Sequence, residues 1–139
     1  MRIARLRNER GSAAIEFAVA VPILIVMIWG IFQIAIVLQA QAGVEQALGE
    51  GARYATIFNT TTNARPTNTQ ISNKIVNAKF GIRNGTWHTP SIDTTNEAAS
   101  GYILIGVQYD VPTNFLVFSG PTITLSKSKR VYILSLIHI

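Results

Sequence analysis

The sequence predicts an α+β fold, a long N-terminal transmembrane and amphipathic helix packed on a small antiparallel sheet. Three observations carry that prediction. Residues 17–38 form a run of 22 residues without a charge. Residues 39–58 keep small and apolar side chains at helical spacing, with acids and amides on the other face. Residues 102–111 alternate with a period of two, as a strand with one buried face does. The expected division is a basic leader at 1–11, the helix at 12–58, a small α+β extracytoplasmic domain at 59–133 and a foreign tail at 134–139. Aliphatic and aromatic types make up 48% of the 139 residues and charged types only 14%. That leaves room for one modest domain and is too apolar for a disordered chain.

The leader, MRIARLRNERG, sets Arg2, Arg5, Arg7 and Arg10 against Glu9, a net of +3 out of the chain's +5. The remainder is close to neutral, so no basic face with aromatic platforms is expected and nucleic acid is not a predicted partner. The charge-free run, FAVAVPILIVMIWGIFQIAIVL, spans about 33 Å as a helix and covers a hydrocarbon core of about 30 Å. Fourteen of its 22 residues are Leu, Ile, Val or Phe, which favours insertion by roughly 4 to 8 kcal/mol. Pro22 and Gln33 subtract from that, and Trp29 falls mid-span rather than at an interface. Four arginines precede the run, and the residues just after it carry only Glu45, Glu50 and Arg53. The N-terminus is therefore expected in the cytoplasm and the C-terminal part across the membrane.

Beyond the run, Val44, Ala47, Leu48, Gly51, Ala55 and Phe58 fall on one helical face, and Glu50 and Arg53 are spaced to pair at i,i+3. Gly43, Gly49 and Gly51 each cost about 1 kcal/mol in a helix interior, so packing rather than propensity must hold this stretch. NTTTNARPTNTQ (59–70) reads as a surface loop. Residues 71–80 suit a short helix with Ile71, Ile75 and Ala78 inward, ended by Gly81, Asn84 and Gly85. Thr86–Ile92 is a short candidate strand and Thr94–Gly101 a loop. Tyr102–Val111 is the best strand, with Ile103, Ile105, Val107, Tyr109 and Val111 on one face. A turn is expected at Pro112–Asn114 and a last strand at about Thr122–Ile133, with Ile123, Leu125 and Val131 inward. The final LSLIHI resembles a translated sequencing adapter, the alternative being a short apolar C-terminal strand; on the adapter reading the natural C-terminus is unknown.

The most informative stretch is Arg10-Gly11-Ser12-Ala13-Ala14-Ile15-Glu16-Phe17, immediately before the span. A glycine, four small or apolar residues, one acid and a phenylalanine opening an apolar helix resemble the processing site of prepilin-type signal sequences. GSAAIEFAVAVPILIVMIWGIF, followed by GEGARYA (49–55), resembles the TadE-like family of pseudopilins from tight-adherence (Flp) pilus systems. The resemblance rests on Glu16-Phe17, on Pro22 six residues after the acid, and on the helix end bearing Arg53 and Tyr54. It covers residues 10–57 and is only architectural beyond them. It implies a pilin-like helix, cleavage by prepilin peptidase between Gly11 and Ser12, and Glu16 as the fifth mature residue. Glu16, Phe17 and Pro22 would set subunit registry and assembly, and Gly51, Arg53 and Tyr54 helix packing. The implied partners are the lipid bilayer, the peptidase, other pilus or pseudopilin subunits and the inner-membrane assembly platform. The implied location is the inner membrane, with the C-terminal part periplasmic or extracytoplasmic.

Physical chemistry agrees with those roles. Gly11 lets a protease approach the backbone. Glu16 stands at the lip of the hydrocarbon, where an unpaired carboxylate is costly. A freed Ser12 amine, from the same subunit or a neighbour, would give it a cation and fix register, as a buried polar residue does in a coiled coil. Pro22 lacks an N–H and is expected to kink or locally loosen the helix.

No catalytic residue, metal site or cofactor is expected. The chain has no cysteine. His88 reads as an ordinary surface or half-buried residue, and Asp93, Glu97 and Asp110 form no acid–base pair by spacing. Phosphate loops, zinc signatures and nucleophile elbows are missing from the sequence. The competing readings are an uncleaved single-pass adaptor or binding protein, a secretory signal cut after Ala40-Gln41-Ala42, and a major pilin. The run is too long for an ordinary signal core. The length of chain after the helix suits a minor pseudopilin better than the shorter major pilins of the resembled systems.

Overall fold

The computed structural model describes residues 9–61, 64–82, 85–116 and 118–133. Most of the leader and all of 134–139 lie outside them. One helix, α1 (Glu9–Ala55), runs for 47 residues with Pro22 inside it, a length of about 70 Å. It stops three residues short of the expected Phe58. Its last turn tightens as Thr56 N–H and Ile57 N–H donate to the carbonyls of Arg53 and Tyr54 at 3.3 and 3.1 Å, which satisfies acceptors that would otherwise be orphaned.

The second helix, α2 (Asn68–Asn77), starts earlier than its apolar pattern suggested because Thr67 and Gln70 form a reciprocal capping box. Gln70 N–H donates to the Thr67 hydroxyl at 3.3 Å and Thr67 N–H to the Gln70 side chain at 2.9 Å. Ile71 and Ile75 are buried and Ala78 is half-buried, as the spacing predicts.

The expected strand at Thr86–Ile92 is split into β1 (Thr86–Trp87) and β2 (Ser91–Asp93). Pro90, which has no N–H for a ladder, lies between them. A short helix, α3 (Glu97–Ser100), occupies part of the expected loop and ends on Gly101 at φ 66°. Beyond it, β3 (Tyr102–Phe115) and β4 (Phe118–Tyr132) form one long hairpin. The expected turn at Pro112–Asn114 is instead strand with a register shift between Pro112 and Asn114. The hairpin closes beyond it, where the rings of Phe115 and Phe118 stack with centroids 4.9 Å apart.

All pairings are antiparallel and β3 is the hub, with β1 and β2 along one edge and β4 along the other. Its inward residues Ile103, Ile105, Val107, Tyr109 and Val111 are each at most 2% exposed. They meet Val44, Ala47, Leu48, Ala52 and Ala55 of α1 and the two isoleucines of α2 in one core. On β4 only Val131 of the expected inward set is fully buried, while Leu125 is half-buried and Ile123 exposed. Pro121, Lys127, Lys129 and Arg130 on this edge strand discourage further pairing.

Candidate functional site

At the start of α1 the large apolar side chains stand in the open, from Phe17 at 71% exposed to Trp29 at 39%. The most apolar window of the helix is only 6% buried. A helix in the core of a water-soluble domain would be covered, so this surface is compatible with a single-pass membrane anchor. Gly11, Ser12, Glu16 and Pro22 are exposed on the same stretch. Ser12 and Glu16 are one turn apart on one face, and the Ser12 hydroxyl donates to the Glu16 carboxylate at 3.1 Å. The Gly11–Ser12 bond lies in the first turn, where a helix frays most readily.

The far half of α1 is built for contact. A Cβ on Gly51 would stand 2.2 Å from Ile75 Cγ1, and one on Gly43 would stand 2.0 Å from the Phe80 carbonyl oxygen. Those two positions need glycine because α2 and the chain after it press against the helix. Tyr54 packs partly buried against the core. Arg53 points outward and pairs with Glu50 at 3.1 Å. Lys127 on β4 reaches Glu45 at 3.0 Å, and this bond holds the Glu45 carboxyl below its ordinary value, helped by Gln41.

Two contacts were not visible in the sequence. The first joins the apolar run to the hairpin. Trp29 Nε1–H and Gln33 Nε2–H donate to the Asn114 carbonyl at 2.7 and 2.6 Å, and Asn114 N–H returns a bond to Gln33 Oε1 at 3.3 Å. The second lies on the open face of the sheet. His88 Nε2 meets Asp110 at 2.8 Å and the Thr124 hydroxyl donates to the same carboxylate at 2.7 Å. These partners hold the Asp110 carboxyl below its ordinary value, the His88 bond foremost. The signal for the first was an amide inside an apolar run, which needs a partner in lipid. The second had no signal, because the pairing of β1 with Tyr109 and Asp110 of β3 is set by the fold. Among the described residues no group of three or more His, Cys, Asp or Glu gathers as metal ligands.

These features describe an α+β chain on one exposed apolar helix, a build compatible with a single-pass membrane anchor. A family model described as TadE-like protein matches residues 11–53, the family the sequence resembles. The match covers α1 from Gly11 to Arg53 and stops before α2 and the sheet. The matched stretch is 43 of the 139 residues. No curated protein and no solved structure matches the chain.

Proposed function

We propose that this chain is a minor pseudopilin of a tight-adherence (Flp, type IVb) pilus, held in the inner membrane by α1 and processed by prepilin peptidase between Gly11 and Ser12. It helps to initiate, prime or cap the filament, and it is not an enzyme. The observation that carries this reading is the family match beginning at Gly11 on a helix whose apolar half is bare. The chemistry is physical rather than catalytic. Cleavage would make Ser12 the helix terminus, with Glu16 one turn inside it. There the carboxylate gains from the helix dipole and from the freed amine. In a neighbouring subunit the same acid could receive that amine, which fixes axial register.

The helix also supports this reading against a secretory signal cut after Ala42. That bond lies inside α1, between Ala40 and Val44, which are 2% and 0% exposed, and Gly43 lies against the Phe80 backbone. Mass spectrometry of the mature N-terminus in cells with and without the peptidase is the test. A chain starting at Ser12 only when the peptidase is present is expected. A chain retaining Met1 in both makes the protein an uncleaved anchor, and one starting at Gly43 makes it a secreted domain. In the same cells Glu16→Ala is expected to insert normally and to lose pilus assembly.

A further inference from the structure

The hairpin runs antiparallel to α1 and descends along the span. Lys127, opposite Val107 on β3, is bonded to Glu45, and Asn114 is bonded to Trp29 and Gln33. Seven strand residues cover about 23 Å and the matching stretch of helix about 21 Å, so the two elements keep level. Phe115, Leu116 and Phe118 lie beyond Asn114, and Phe115 shares a groove with Met27. From Glu16 to Met27 the helix rises only about 17 Å. A hydrocarbon core of about 30 Å that begins at Glu16 ends near Ile36, well past the tip. Beginning as early as Gly11, just after the charged Arg10, it still ends beyond Trp29.

Composition follows the same boundary on all three elements. The helix has no charged residue from Phe17 to Val44, and the hairpin has none from Val111 to Ser126. The first charges on each side are Glu45 and Lys127, which meet each other, and Asp110 on β3. At the tip Leu116 is 59% and Phe118 60% exposed. The groove between the tip and the helix, of about 520 Å³, is walled by Met27, Ile31, Ile34, Leu38, Phe115 and Ile123. Lipid also demands that backbone groups be satisfied internally. The ladder does that for Phe115 and Phe118, Trp29 and Gln33 do it for Asn114, and the Thr113 hydroxyl donates to the Pro121 carbonyl at 2.7 Å.

We propose that the tip of the β3–β4 hairpin is a second membrane-inserting element, sunk among the acyl chains of the leaflet nearer the sheet, beside its own helix. This rests on the anchor reading of α1. The sheet is thereby fixed against the bilayer at a set height, with the groove filled by acyl chains and the Glu45–Lys127 pair facing the headgroups. The absence of cysteine makes single-cysteine labelling clean. The full chain is reconstituted in phosphatidylethanolamine–phosphatidylglycerol vesicles with a bimane probe on Ile25→Cys, Leu116→Cys, Phe118→Cys or Asn73→Cys. Acyl-brominated lipid is expected to quench the first three to a similar degree, and aqueous iodide only the last. Quenching at Ile25→Cys, with iodide reaching Leu116→Cys and Phe118→Cys, overturns the proposal and leaves the anchor intact. Shielding of the two tip probes from both quenchers means that protein covers the tip, which also overturns it. An unquenched Ile25→Cys probe removes the anchor and the proposal together.

Discussion

Asp110 shows how much one side chain takes from its neighbours. It stands on the open sheet face, where the His88 bond and then the Thr124 bond favour its charged form. A carboxyl depressed in the folded state stabilises the protein above its ordinary value of about 4, and that contribution disappears as the pH falls through the lower folded value. Asp110→Asn is therefore expected to lose this stabilisation at neutral pH and to differ little from the parent near pH 2, which flattens part of the acid limb of stability. Thermal unfolding in detergent between about pH 6 and pH 2 is the measurement. Glu45 and Asp93 are depressed too, by Lys127 and Thr95 respectively, so part of the acid limb survives. A variant with an unchanged acid limb would mean that the His88 contact is not held in solution.

At the level of elements, the junction of α1 and α2 turns on Gly51. Alanine favours a helix over glycine by about 1 kcal/mol. Here its methyl group would run into Ile75, which is 0% exposed and has no room to swing away. Overpacking of this kind costs about 1–3 kcal/mol, so Gly51→Ala is expected to destabilise the fold despite its better propensity. Ile75→Ala alone leaves a cavity worth about 2–5 kcal/mol. Together the two changes should cost less than the sum of their separate effects, a coupling that a double-mutant cycle in denaturant would read. Additive effects would mean that the helices do not meet there. α2 also shows the limit of periodicity. Its inward face was legible, but its first turn depended on Thr67 and Gln70, whose capping bonds lie outside the apolar pattern.

Across the whole molecule, Gln33 couples the span to the sheet. It is 8% exposed in an otherwise bare stretch of helix and exchanges two bonds with Asn114. Gln33→Leu suits lipid better and would aid insertion, yet it leaves Asn114 N–H without that partner. With the tip in lipid, an unsatisfied donor there costs about 1–3 kcal/mol. Amide exchange in nanodiscs is expected to quicken about tenfold or more around Thr113–Asn114, with Ile103–Val107 unchanged. Equal protection at the hairpin would show that the helix and the sheet are independent bodies. Trp29 belongs to the same junction. By count it is mid-span, but its indole is spent on the hairpin, so its position follows from the fold rather than from its distance along the apolar run.

The sequence by itself determined the bare apolar helix, its packed continuation, the inward face of β3 and the segment that the TadE-like model matches. These depend on local composition and on periods of 3.6 and 2, which are written in consecutive residues. Only the tertiary structure decided that the hairpin extends past Pro112 to reach Trp29 and Gln33, that His88 meets Asp110, and that Gly43 and Gly51 are sites of close approach. Each of those contacts joins residues distant in sequence, and their register is set by the packing of a sheet on a helix, which no local pattern records.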